Sequence, residues 1–122
     1  HASSYKRSRD DADPDAAVDT RSRGFERAGA YLTGWRDIEE SLYRLGRDRL
    51  GADSSQHMAL SSIVFALMRD GVLSEDVAND ARWAVGVRNR LVHGDGAITI
   101  SERDVERMVR LSARLGSIER RA

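Results

Sequence analysis

From Phe25 onward the apolar residues of this chain recur every three or four positions and almost never alternate, which restricts the fold to packed helices. Phe25, Ala28, Leu32, Trp35, Ile38, Leu42 and Leu45 predict a first helix stopped by Gly46. A polar connector, Arg47 to Ser55, contains Gly51, and Met58, Leu60, Ile63, Val64, Leu67 and Met68 then mark a shorter helix ending at Gly71. Ser74 reads as an N-cap, with Glu75 and Asp76 favoured by the positive end of a helix dipole. That third helix should run to about Val92 and end near Gly94, before the turn signal Asp95-Gly96. Ser101 and Asp104 have the spacing of a capping box for a fourth helix, whose apolar side carries Val105, Met108, Val109, Leu111, Leu115 and Ile118. Ala97 to Ile100 has the character of a short extended piece with no partner strand. The expectation is an all-α four-helix bundle in one domain, residues 23–122.

Residues 1–22 mix Lys or Arg with Asp and small residues without an apolar period, and are expected to form a disordered tail. The opening His1-Ala2-Ser3 reads as a cloning scar and carries no weight for the fold. At 122 residues the chain suits one modest core, and no apolar run approaches membrane-spanning length. The absence of cysteine removes disulfides and thiolate metal sites and fits a reducing, cytoplasmic setting. Acidic and basic residues cancel at 20 each, so nucleic acid would need a local basic face. Lys6 is the sole lysine, and arginine suits bidentate recognition of phosphate or carboxylate.

The third helix holds the most informative positions. On a wheel of about 100° per residue, Val77, Ala81, Ala84, Val85, Leu91 and Val92 share an arc widened by Trp83 and Val87, with Arg88 in its middle. A guanidinium there is costly to bury unpaired, and Glu39, inside the apolar arc of the first helix, is the expected structural partner. Asn89 and His93 share a different face, His93 lying roughly 140° from Arg88. The two meet only if the last turn frays or a second chain supplies one of them. By residue type alone, Arg88 also reads as a structural ion pair, His93 as a histidine favoured at a helix C-terminus, and Asn89 as an ordinary polar position.

Arg88-Asn89-x-x-x-His93, within Val87-Arg88-Asn89-Arg90-Leu91-Val92-His93-Gly94, resembles the RX4-6H signature of the HEPN superfamily, including the polar residue that often follows the arginine. In that family the signature also sits late in a helix of an α-helical bundle. The signature covers six residues, and the helical layout extends the likeness over residues 25–120; the fourth helix bears no family mark. The resemblance implies a metal-independent endoribonuclease, often a toxin or defence effector, whose homodimer joins both motifs in one cleft. Arg88, Asn89 and His93 would then be its active-site residues. Cleavage through a 2′-hydroxyl needs a base, an acid for the departing 5′-oxygen and positive charge on the phosphorane. Histidine suits either proton role, and Arg88 or a partner's Arg90 would meet the phosphoryl oxygens.

On the fourth helix Arg103, Arg107, Arg110, Arg114 and Arg121 fall in one arc opposite the apolar face. That stripe reads either as a track for RNA phosphates or as a solvated face tied to Glu102, Asp104 and Glu106. No ligand spacing suggests a metal, and no cofactor motif is present. The partners expected are a second copy and RNA, with an antitoxin or a larger parent chain behind them. The competing function is a non-catalytic HEPN-like module that dimerises or binds a partner or ligand. The third helix's apolar arc of roughly 200° exceeds what a one-sided helix needs. Gly86, which costs about 1 kcal/mol of helix propensity, permits close approach, so the third helix is expected near the two-fold axis.

Overall fold

The computed structural model describes residues 14–93 and 99–121, with side chains from Arg23 on, Phe25 excepted. The first helix, α1, runs Pro14–Leu50, followed by the single-turn α2 (Ala52–Ser55), α3 (Leu60–Arg69), α4 (Glu75–Val92) and α5 (Glu102–Arg121). The described chain is all helix and connection, with no strand among the described residues. Residues 1–13, Asp95-Gly96 and the first half of the expected extended piece at Ala97 to Ile100 lie outside it.

Two boundaries of α1 differ from expectation. The helix begins at Pro14, so residues 14–22 are helical and not part of a tail. Proline at the first helical position has a preset φ and lacks only an N–H with no partner there, and Ala16 and Ala17 are strong helix formers. At the other end α1 passes through Gly46 and stops at Gly51, whose φ of 96° suits glycine. Gly46 is buried against α3, and a Cβ there would lie 3.0 Å from Cγ2 of Ile63. It is a packing glycine, not a terminator.

The remaining termini form as their residues dictate. Gly71, at φ 79°, closes α3 in a Schellman pattern, with Val72 N–H donating to Leu67 O and Gly71 N–H to Met68 O. The Ser74 hydroxyl accepts from Val77 N–H. Ser101 and Asp104 bond reciprocally, side chain to backbone, at 3.0 and 3.1 Å.

Tyr31, Trp35, Ile38, Leu42 and Leu45 form the buried stripe of α1, and α3, α4 and α5 all pack on that helix. Helix α5 runs in the same direction as α1: Arg27 Nε donates to Ile100 O, Gly34 abuts Met108, and Arg44 pairs with Glu119. That Arg44 hydrogen bond holds the Glu119 carboxyl below its ordinary range. Helix α4 runs opposite to α5, with Val77 beside Ile118 and Trp83 beside Arg107. Tyr31 is fully buried and donates its hydroxyl to Ala84 O at 2.6 Å. Burial, then the Asp104 carboxylate, pushes that hydroxyl well above its usual range, so it stays a donor.

Gly46→Val is expected to destabilise the bundle by about 1–3 kcal/mol through overpacking against Ile63. Ile63→Ala in the same chain should recover part of that loss, a non-additivity measurable by urea denaturation.

Candidate functional site

Arg88 keeps its place on the core side of α4 and is half-buried, where the bundle opens into a cleft. The cleft, about 260 Å³, lies between α1, α3 and α4 and is lined by Trp35, Glu39, Tyr43, Ser61, Arg88 and Asn89, with Ala59, Leu60 and Val85 beside them. The expected meeting of Glu39 with Arg88 is therefore real in location but not in contact. Among the described residues neither makes an ion pair within 4.0 Å. Arg88 Nη1 instead donates to its neighbour's Asn89 Oδ1 at 3.4 Å. Because the cleft admits water to the guanidinium, burial does not force a carboxylate onto it.

His93 is the C-cap of α4 and is exposed. Its backbone N–H still reaches Asn89 O at 3.0 Å, so the last turn stays regular and does not fray. The ring is therefore carried off the arc that holds Arg88, and one chain does not unite the two side chains. Asn89 is exposed at the cleft rim, and Arg90 is exposed in the same last turn. Among the described residues no group of three or more His, Asp or Glu side chains is arranged to hold a metal ion.

The arginine stripe of α5 divides. Arg107 lies in the seam between helices, its guanidinium carbon 4.3 Å from the Trp83 ring centroid and its Nη2 2.7 Å from Asp80. Arg114 approaches the same carboxylate at 3.7 Å. Asp80, not the local Glu102 and Glu106, is the anchor, and sequence reading missed it because the pairing joins residues on different helices. Arg103 and Arg110 are exposed, and Arg121 bonds Ser117. As a phosphate track the stripe thus retains Arg103 and Arg110 more freely than Arg107 and Arg114.

A further feature at the cleft was not foreseen. Trp35 is 5% exposed, lines the cleft wall, and its Nε1–H has no acceptor among the described residues. Apolar surface also remains uncovered nearby: Val92 is 54% exposed on the arc of Arg88, Tyr43 40% at the cleft and Phe65 55% one turn beyond Ser61.

Searches against protein-family models, curated proteins and solved structures brought no match, so the chemistry of the cleft has to be read from its own residues.

Arg88→Ala leaves no buried carboxylate stranded, so its effect on stability should be about 1 kcal/mol or less, chiefly lost stem packing. Urea denaturation of wild type and variant checks this; a loss of several kcal/mol would indicate a tight pairing with Glu39.

Proposed function

We propose that this chain is a metal-independent endoribonuclease of the HEPN type, a toxin or defence effector that works as a homodimer. The observation that carries the reading is the state of Arg88: a half-buried residue at a cleft, followed by Asn89 and free of any ion pair among the described residues. A structural arginine would be expected to hold a carboxylate, whereas this one is left to meet an anion such as an RNA phosphate.

The separation of His93 from Arg88 on one regular helix makes a second chain part of the proposal. Val92 exposes apolar surface between them, and a Cβ on Gly86 would meet, among the described residues, only Arg90 of the same helix at 3.9 Å. Two copies packed along the end of α4 would cover that surface and bring a second His93 toward each Arg88. In such a cleft one histidine takes the proton of the 2′-hydroxyl, whose oxygen attacks phosphorus. The P–O5′ bond breaks, and the other histidine protonates the leaving oxygen, giving a 2′,3′-cyclic phosphate and a 5′-hydroxyl. Arg88 neutralises the phosphorane.

The second reading is a non-catalytic module for dimerisation or partner binding. The exposed Phe65, Tyr43 and Leu32 favour it, since such apolar surface serves association without chemistry.

His93→Ala should lower RNA cleavage by about 10²–10⁴-fold while leaving fold and dimer intact, and EDTA should not affect the wild type. A 2′-deoxy substrate should resist. Equal cleavage by wild type and His93→Ala, at matched purity and thermal stability, would point to the non-catalytic reading. Val92→Glu places a charge in the proposed interface and is expected to shift the protein to monomer, with cleavage lost in parallel. Light scattering reads the first effect, and a wild type already monomeric at high micromolar concentration would remove the dimer from the mechanism.

A further inference from the structure

The cleft brings together charged, amide, hydroxyl and aromatic groups. Glu39 is half-buried and Arg88 likewise, they carry opposite charge, and neither is paired with the other or with another side chain at ion-pair distance among the described residues. Asn89 accepts from Arg88 through Oδ1, and its amide NH₂ has no acceptor among the described residues. Tyr43, 40% exposed, offers a ring at the same opening, and Ser61 adds a hydroxyl. A ligand that satisfies this set must present adjacent donors to a carboxylate, an acceptor to an amide, a flat face to an aromatic ring and an anion to a guanidinium.

We propose that this cleft binds a guanine nucleotide of RNA, and so makes cleavage by the enzyme guanine-selective; the inference rests on the ribonuclease reading. Guanine is the one standard base with two neighbouring donors, N1–H and N2–H₂, that match both oxygens of the Glu39 carboxylate. Its O6 accepts from the Asn89 amide, its face stacks on Tyr43, and its phosphate lies toward Arg88. The other bases fit worse for definite reasons. Adenine places the bare acceptor N1 where a carboxylate oxygen would sit. Cytosine places N3 there. Uracil has a single N3–H flanked by two carbonyl oxygens that repel the second carboxylate oxygen. The volume, about 260 Å³, is large enough for one base with its sugar outside. Arg88 thereby links recognition to chemistry, since it adjoins both the base cleft and the end of α4 that carries His93.

The test is calorimetric titration of the intact protein with 3′-GMP, 3′-AMP, 3′-CMP and 3′-UMP, which reads binding without cleavage. Wild type should prefer 3′-GMP by about tenfold or more. Glu39→Gln, of equal size, presents an amide donor to guanine's donors and should abolish the preference while leaving weak binding of the other nucleotides and thermal stability unchanged. Tyr43→Ala should weaken all four, and Tyr43→Phe should restore them. Equal binding of the four nucleotides, no binding of any, or an undiminished guanine preference in Glu39→Gln would overturn the inference. RNA cleavage is scored separately on a substrate containing every dinucleotide step. Cleavage indifferent to guanine defeats this inference and spares the ribonuclease reading. Guanine-selective binding with no cleavage defeats the ribonuclease reading and spares the guanine site.

Discussion

The packing of every other helix onto one stripe of α1 is the constraint from which the rest of the architecture follows. Tyr31, Trp35, Ile38, Leu42 and Leu45 present a continuous buried line. Tyr31 is its most demanding member, because a fully buried hydroxyl without an acceptor would be costly. Its bond to Ala84 O ties α1 to α4 at a single point, and the Trp83 ring meets Tyr31 edge-on with centroids 6.0 Å apart. Trp83 in turn supports Arg107, which holds Asp80. One polar contact in the core thus leads outward, through an aromatic pair, to the ion cluster that closes α4 against α5.

The same arrangement accounts for the cleft. Helix α4 is covered where Val77, Ala78, Ala81, Ala84 and Val87 face its neighbours, and in its last turn Leu91 still packs on the core while Asn89, Arg90 and Val92 are exposed. Arg88 follows the buried Val87 and precedes the partly buried Leu91, and lines the cleft at the margin of the core. A residue that a wheel diagram assigns to the interior therefore sits at an opening, and this resolves the tension between its charge and its position.

How much of this was legible in the residues follows the range of the interactions. Ser74, Gly71 and the Ser101–Asp104 pair act on backbone groups within a few positions, and the termini they mark appear where local chemistry puts them. Glycine within a helix signals a stop and a tight packing contact alike, and at Gly46 the side chain that decides, Ile63, belongs to another helix. The helical turns after Pro14 were missed because they lack the apolar period by which helices are recognised. At the candidate site, Glu39 on α1 and Arg88 on α4 line one cleft without forming the expected ion pair. Whether two side chains there touch depends on helix separation, which no spacing along one chain specifies. Asp80 escaped notice for the same reason.

The choice of arginine over lysine has a consequence for how the protein can be altered after synthesis. Arg27, Arg44 and Arg107 each use Nε–H, a donor that lysine does not possess, to reach Ile100 O, Glu119 and Asp80. From Arg7 to Ala122 there is no lysine at all. Enzymes that acylate side-chain amines or attach ubiquitin to them therefore find one target in this sequence, Lys6, ahead of every described helix. The contacts that join the helices carry charge in a form to which such enzymes are blind.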